Sequence, residues 1–309
     1  MKIPDLNDFK EYFDDPMWRS VAAILLKRHQ LDFTVIKRAE HGENIVFLVD
    51  DSRIVKIYTP LKNGFHRERA ALDFAEGKTH IPIPEIIDEG EIDGYYYLIT
   101  TQLPGRLMTR KEWLGLNPKA AARIVVQLGR GLRELHARDA HDFDFDWHEF
   151  LQIQSESAIL KQEREGGNPE WLRSLPAFLE RNLQQIPYKP DEAFLHGDVH
   201  FGNIRVDGSD GDLVISGLFD FADSLKGFRE YEFVAVGVLM IQGQRDLQRE
   251  FFRAYGYEDR EMDETMRRRM MTLTLLYEHS SLRRYSERLG VDPMKYTLEE
   301  LERAIWRFI

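Results

Sequence analysis

The sequence contains no cysteine among its 309 residues. Disulfide bonds, cysteine-ligated zinc sites and thiol catalysis are therefore excluded. With 43% hydrophobic and 31% charged residues, the composition is that of a globular rather than a disordered protein. The chain is long for one compact core, and its length suits two lobes.

Long apolar runs are also missing. The longest one, Phe233–Ile241 (FVAVGVLMI), is too short to span a bilayer. The first residues (MKIPDLNDFKEYFDDP) are acidic and lack the apolar region of a signal peptide. We therefore expect a cytoplasmic protein that does not associate with membranes.

The chain has no excess of positive charge. Its 42 Lys and Arg against 53 Asp and Glu give a net charge of -11. Binding to nucleic acid is not expected, because phosphate contacts need clustered Lys and Arg. An acidic surface suits a cationic small substrate, although many proteins are acidic for solubility alone.

Strand patterns dominate the first third of the sequence. A helical period over 17–30 is followed by short β-rich segments, a helix over 64–76 and two further strands that end near residue 101. Turn residues lie at Asp50–Ser52 and at Asp93-Gly94. These patterns predict a small β-rich lobe of five strands with one embedded helix.

Helical periodicity dominates after Leu103–Gly105 (LPG), for example over 121–137, and strand-like segments return only around 193–221. We therefore predict an α+β fold of two lobes, with residues 1–101 in the smaller lobe and 102–309 in the larger, mainly helical one. Clefts between lobes are common ligand sites.

The most informative segment is 194–205, FLHGDVHFGNIR. One interpretation is a metallohydrolase site, because His196, Asp198 and His200 would share one face of an extended strand. A second is a polar turn, in which Gly202 and Asn203 supply the unusual backbone angles.

The third interpretation is phosphoryl transfer, which needs a carboxylate base and oxygen ligands for Mg²⁺. Asp198 and Asn203 supply the first parts, and a second aspartate, Asp220, ends the apolar run LVISGLF. A hairpin between Asn203 and Asp220 would bring these two residues side by side. The combination favours this third interpretation.

The pair HGDVHFGN and LFDFADS resembles the motifs of the aminoglycoside phosphotransferase and choline kinase-like small-molecule kinases, which have a protein-kinase-like fold. The resemblance covers about residues 30 to 240. It implies ATP and Mg²⁺ as cofactors, Asp198 as the catalytic base, Asn203 and Asp220 as Mg²⁺ ligands, and His196 as a support of the catalytic loop.

A kinase-like site also needs a lysine for the nucleotide phosphates, held by a glutamate on a helix. Lys56 is a lone charge in the apolar strand RIVKIYT. Glu68 falls on the apolar stripe of the following helix, where a buried carboxylate needs a partner. We therefore predict that Lys56 and Glu68 form an ion pair.

The remaining candidate nucleotide contacts are predicted from their positions in the sequence. Gly42 and Asn44 lie in a reduced phosphate loop, EHGENIVF, whose backbone N–H groups would cover the phosphates. The lobe junction LITTQLPG matches the hinge of the family, and the backbone of Thr101 and Leu103 would contact adenine.

The sequence departs from the family pattern after Asp220. Glu232 stands where an aspartate usually anchors the catalytic loop through backbone hydrogen bonds, and its longer side chain would do the same with a small shift. Asp223 is a candidate to face the acceptor. The late segment 272–289 (TLTLLYEHSSLRRYSERL) is predicted to cap the acceptor pocket.

Together these residues predict an ATP- and Mg²⁺-dependent phosphotransferase that acts on a hydroxyl of a small molecule, with a cationic acceptor suited to the acidic chain. A non-catalytic nucleotide-binding regulator is the alternative, and a His/Asp metallohydrolase is a weaker one. A protein kinase is disfavoured, because the chain lacks a glycine-rich loop and an Ala-Pro-Glu-type motif.

Overall fold

The computed structural model describes residues 16–39, 44–60, 63–137, 139–209 and 211–309. The helices are α1 (Met17–Arg28), α2 (Gly64–Ala75), α3 (Arg110–Gly115), α4 (Pro118–His136), α5 (Trp147–Arg164), α6 (Pro169–Asn182), α7 (Phe233–Ala235), α8 (Arg245–Tyr255), α9 (Glu264–Leu276), α10 (Leu282–Leu289) and α11 (Leu298–Ile305). The strands are β1 (Ile36–Arg38), β2 (Ile45–Val49), β3 (Arg53–Ile57), β4 (Ile86–Ile92), β5 (Tyr95–Thr101), β6 (Arg106–Leu107), β7 (Ala193–Leu195), β8 (Ile204–Asp207), β9 (Val214–Leu218) and β10 (Leu225–Gly227).

The first lobe, from α1 to β5, contains an antiparallel sheet in the order β1-β2-β3-β5-β4. Both predicted turns are present. Asp50 and Asp51 have φ of 51° and 52° between β2 and β3, and Asp93 and Gly94 have φ of 51° and 86° between β4 and β5. Asp and Gly tolerate such left-handed angles, which is why they occur in tight hairpins.

Two layers of apolar side chains cover this sheet. On one face α1 packs through Trp18 and Leu25 against residues such as Val55. On the other face α2 packs through Phe65 and Leu72, and this cluster continues into the core of the helical lobe. The strand–helix arrangement predicted for residues 53–76 is therefore confirmed, and the face of β3 next to α2 is the one continuous with the second lobe.

The second lobe is mainly helical. Its longest helix, α4, begins at Pro118 after the cap Asn117, whose side-chain oxygen accepts the N–H of Ala120 at 3.0 Å. Its apolar stripe, which includes Leu128 and Leu135, is buried in the core. The predicted helical period over 121–137 belongs to this helix.

Two small antiparallel sheets carry the segment between 193 and 227. One pairs β7 with β10, and the other has the order β6-β8-β9. They hold the polar segment 196–203 between β7 and β8, on the side of the second lobe next to β3 and α2. The α+β fold with a small β-rich lobe and a larger helical lobe is confirmed.

The exact division at residue 101 remains a prediction, although β5 ends at Thr101. None of the helices in the described ranges combines the length and the apolar character that crossing a membrane requires.

Candidate active site

The predicted pair of Lys56 and Glu68 is present. Lys56 lies on β3 and Glu68 on α2, and the Lys56 Nζ is 2.5 Å from Glu68 Oε2. Glu68 is buried in the apolar stripe with Phe65 and Leu72, as the spacing predicted. A carboxylate in such a place is stable only with a partner, and the ammonium of Lys56 supplies it.

A second carboxylate shares the same lysine. Asp220 Oδ1 lies 2.7 Å from Lys56 Nζ. The side chains of Lys56 and Glu68 are 12% and 7% exposed, whereas that of Asp220 is 45% exposed. One ammonium therefore serves two carboxylates, and the group carries a net negative charge that opens to solvent at Asp220.

The pKa values follow from this arrangement. Burial acts to lower the pKa of Lys56, but the carboxylates of Asp220 and Glu68 outweigh it, so the pKa is raised and the lysine stays charged. Burial raises the pKa of Glu68, while the ammonium of Lys56 lowers that of Asp220. Asp220 is thus the more acidic of the two carboxyl groups.

Tyr58 is a site residue that the sequence interpretation missed. Its hydroxyl donates to Glu68 Oε2 at 2.7 Å. Tyr58 directly follows β3 and lies two residues after Lys56. Residues two apart in extended backbone share a face, so this alternation could have identified Tyr58 as a neighbour of Lys56.

The segment 196–203 is anchored by Glu232. This buried carboxylate accepts the N–H of His196 at 2.5 Å and the N–H of Gly197 at 3.0 Å. These are the backbone hydrogen bonds that were predicted for Glu232. The His136 ring also lies near this carboxylate, with Nε2 3.5 Å from Oε2 of Glu232.

Both ring nitrogens of His196 are engaged. Nδ1 accepts the N–H of Asp198 at 3.3 Å, so Nε2 carries the proton and donates to the Phe219 carbonyl at 3.0 Å. A histidine used in this way cannot bind zinc, which argues against the metallohydrolase arrangement. Within the described ranges, no cluster of three or more His, Asp or Glu side chains can hold a metal ion.

Asp198 is held on both carboxylate oxygens. Oδ2 accepts the Asn203 amide at 3.1 Å and lies 3.2 Å from His200 Nε2, and Oδ1 accepts the Tyr277 hydroxyl at 2.8 Å. Burial acts to raise the pKa of Asp198, but His200, Tyr277 and His196 lower it to about 2. The carboxylate is therefore ionised at neutral pH and acts as an acceptor.

The β8–β9 hairpin brings Asn203 and Asp220 together, as the sequence predicted. Ile204 pairs with Leu218, and the N–H of Phe219 donates to the Asn203 carbonyl at 3.0 Å. The Asn203 amide nitrogen donates to Asp198, both to its carbonyl and to its carboxylate. The amide oxygen Oδ1 consequently points away from Asp198.

The predicted hinge residues follow β5 directly. The Thr101 backbone N–H donates to the Glu85 carbonyl at 2.9 Å, and its side-chain oxygen accepts the Glu85 N–H. Among the residues that the structure describes, the N–H and carbonyl of Leu103 form no hydrogen bond. Of the two predicted adenine contacts, Leu103 is therefore the one with free backbone groups.

The other predicted residues are less closely tied to the site. Gly42 lies outside the described residues, and the Asn44 side chain accepts the Thr59 N–H at 3.3 Å. Asp223 lies near the catalytic segment, and its carboxylate is 3.9 Å from the His279 ring.

A family comparison agrees with the resemblance that the motifs around these residues carry. The model of the phosphotransferase enzyme family matches residues 17–269, so the chain belongs to this family and is a phosphotransferase. The resemblance seen in the motifs at 196–203 and 218–224 is thereby confirmed. No curated protein sequence matches the chain significantly.

Solved structures show the same fold. The GDP complex of wild-type aminoglycoside 2'-phosphotransferase-IIIa has a TM-score of 0.70 at 16% identity and covers 96% of this chain and 100% of its own. A streptomycin-ATP complex of APH(2")-IIa has a TM-score of 0.60 at 16% identity, covering 91% and 97%. APH(3'')-Id from Streptomyces rimosus, with ADP and streptomycin, has a TM-score of 0.58 at 18% identity, covering 83% and 98%.

Proposed function

We propose that this phosphotransferase is a small-molecule kinase that moves the γ-phosphoryl group of ATP, bound with Mg²⁺, to a hydroxyl of its acceptor. The observation that carries the proposal is the ionised carboxylate of Asp198, hydrogen-bonded to Asn203 and beside the Lys56–Asp220 pair. Such a group of residues matches the parts that phosphoryl transfer requires, which are a base, a lysine and oxygen ligands.

The donor set fits magnesium. Among the described residues, the amide oxygen of Asn203 accepts no hydrogen bond, because the amide nitrogen faces Asp198, and one oxygen of Asp220 does not contact Lys56. The carboxylates of Glu68 and Asp220 share Lys56, and the carboxylate of Asp198 lies close enough to act to raise the pKa of Asp220, so a divalent cation would balance the charge. Mg²⁺ takes few protein ligands and prefers oxygen. When bound, it would neutralise charge on the phosphates.

The chain's own residues have separate roles in this proposal. Asp198 orients the acceptor hydroxyl and accepts its proton as the new oxygen–phosphorus bond forms and the bond from the γ-phosphorus to ADP breaks. Lys56, held by Glu68, binds the nucleotide phosphates. His196 and Glu232 hold the backbone on either side of Gly197 and so fix the place of Asp198.

The residues that contact the nucleotide and the acceptor are proposed from their positions in the chain. The free backbone groups of Leu103, next to Thr101, would recognise adenine, and the loop of Gly42 and Asn44 would cover the phosphates. The relatives named above are aminoglycoside phosphotransferases with GDP, ADP or ATP, and aminoglycosides are cationic. We therefore place aminoglycosides first among acceptors, with Asp223 as a candidate contact for a positive group.

The test is ADP or GDP release from Mg·ATP or Mg·GTP with aminoglycosides, choline, homoserine and amino sugars. Asp198→Asn is the matched inactive variant, and Asp207→Asn, an exposed aspartate at the far end of β8, is the control. We expect one acceptor to stimulate release, Asp198→Asn to lose about 10²- to 10⁴-fold in kcat, and the control to stay unchanged.

The two alternative functions would give different results in these assays. Tight nucleotide binding without turnover on any acceptor would favour the non-catalytic regulator. Hydrolytic activity that EDTA abolishes and that Zn²⁺, but not Mg²⁺, restores would favour a metallohydrolase. Turnover that is insensitive to Asp198→Asn would contradict the proposed base.

A further inference from the structure

Tyr277 contacts the proposed base, Asp198, from outside the motifs at 196–203 and 218–224. It follows the last residue of α9, and its hydroxyl donates to Asp198 Oδ1 at 2.8 Å. The side chain is only 1% exposed. Burial raises the pKa of Tyr277 well above its ordinary value, so the hydroxyl keeps its proton and acts as the donor.

Contacts from two other elements fix the backbone of Tyr277. Lys161 on α5 donates to the Tyr277 carbonyl at 2.9 Å and to the Gln154 side chain at 2.7 Å. The next N–H, that of Glu278, donates to the Tyr231 hydroxyl at 3.0 Å. The backbone at Tyr277 is thus held in place independently of the contact between its hydroxyl and Asp198.

The two oxygens of Asp198 differ in their surroundings. Oδ2 meets both Asn203 and His200, whereas Oδ1 meets Tyr277 alone among the described residues. A carboxylate oxygen has two acceptor sites, so Oδ1 keeps one open while the tyrosine occupies the other. An acceptor hydroxyl that approaches Asp198 finds its free lone pair at Oδ1.

We infer that Tyr277 is a positioning residue for phosphoryl transfer, whose hydroxyl holds Oδ1 of Asp198 so that the open lone pair of this oxygen receives the acceptor's proton. This inference rests on the proposed function. A small misplacement of a base costs a large factor in rate but little in the binding of a nucleotide that it does not touch.

The kinetic test compares Tyr277→Phe with Tyr97→Phe. Tyr97 is the matched control, because it is also buried, at 1% exposure, and its hydroxyl is hydrogen-bonded to the His29 ring at 2.6 Å, in the apolar cluster beneath α1. The substrate is Mg·ATP with the acceptor found in the panel above, or with water as the acceptor if no panel member stimulates release.

We expect Tyr277→Phe to lower kcat about 10- to 100-fold and to leave the KM for ATP within about twofold. Tyr97→Phe should stay within about twofold of the wild type in both constants. Tyr277→Phe with wild-type kcat, or with a KM for ATP that rises in step with the loss of kcat, would overturn the inference.

A second measurement does not depend on turnover. In protein labelled with 3-fluorotyrosine, the ¹⁹F resonance that Tyr277→Phe removes should shift on Asp198→Asn and stay in place on Asp207→Asn. A resonance insensitive to Asp198→Asn would overturn the hydrogen bond itself. An inactive wild type would reject the proposed function and this inference together, whereas an active wild type with an unaffected Tyr277→Phe rejects only the inference.

Discussion

The two halves of the candidate active site are held together in different ways. On the proposed nucleotide side, Lys56 joins two carboxylates, one from α2 and one from the segment that follows β9. On the proposed transfer side, the segment that carries Asp198 is held by hydrogen bonds from backbone N–H groups to Glu232 and to a histidine ring. The first half depends on charge, and the second on backbone geometry.

Because of this difference, we expect substitutions to act differently in the two halves. Ionic groups that share one cation are coupled, so removing Lys56 affects both Glu68 and Asp220. Hydrogen bonds to backbone N–H groups are local, so a change there moves the loop and leaves the charges of the other half in place. Four predictions test this comparison, beginning with the largest expected effect.

Lys56→Met should give the largest loss, because two carboxylates lose the ammonium group that they share. We expect kcat/KM for ATP to fall at least about 100-fold and the free energy of unfolding to fall by about 3–5 kcal/mol, less whatever Glu68 regains by protonation. Kinetics and urea unfolding measure the two effects. Lys37→Met, at an exposed position on β1 of the same sheet, is the control.

A double-mutant cycle with Glu68→Gln sharpens this result. If the two residues act as one unit, the double variant should be little less stable than Lys56→Met alone. Additive losses in the free energy of unfolding would show that Lys56 and Glu68 are not coupled. They would contradict the view that this half of the site depends on a shared charge.

Gly197→Ala should give the next largest loss, through geometry alone. Gly197 has φ of 88°, and a Cβ there would lie 2.2 Å from the Asp223 carbonyl oxygen. We expect a loss of about 2–4 kcal/mol in urea unfolding. Gly77→Ala is the matched control, because Gly77 has φ of 65° but no atom within 4 Å of the added Cβ, and it should lose only about 1 kcal/mol. Equal losses would show that the contact with Asp223 carries no cost.

Glu232→Gln should cost about 1–3 kcal/mol in unfolding free energy, because the amide places a donor against one of the two backbone N–H groups that the carboxylate accepts. Glu232→Asp keeps both acceptor oxygens and should lose less, since only the reach of the side chain changes. A larger loss for the aspartate would mean that length, rather than acceptor chemistry, fixes the loop.

The pH dependence should show the smallest effect. Interactions with His200 and Tyr277 lower the pKa of Asp198 to about 2, so its proton is lost well below neutral pH. Because the folded pKa is lowered, the stabilisation that it brings is complete above the ordinary value and is lost as pH falls toward 2. We expect no acidic limb from Asp198 in kcat/KM between about pH 5 and 8. A limb that disappears in Asp198→Glu but not in Asp207→Asn would contradict this.

Sequence patterns predicted the local parts of the site well. The stripe on α2 identified Glu68, the apolar strand singled out Lys56, and the motif spacing returned Asp220 to Asn203 through a hairpin. Each of these signals comes from periodicity or from a short turn, which act over a few residues.

The long-range contacts were not predictable in the same way. Tyr277 and Asp198 are 79 residues apart, and Lys56 and Asp220 are 164 apart. Periodicity tells which face of a helix or strand is buried, but it does not tell which distant side chain packs against that face. Tyr277 follows α9 in a segment predicted only to cap the acceptor pocket, so its contact with Asp198 could be seen only in the folded chain.

Asp220 has a backbone φ of 66°, a left-handed conformation that glycine adopts with less strain. Folding and the proposed chemistry therefore make different demands on this position, since the proposed site uses the negative charge of a carboxylate there, which pairs with Lys56. A library of this chain selected for thermal stability or expression alone should collect glycine or asparagine at residue 220. Such variants would be robust and inert, so directed evolution of this scaffold needs an activity screen in every round.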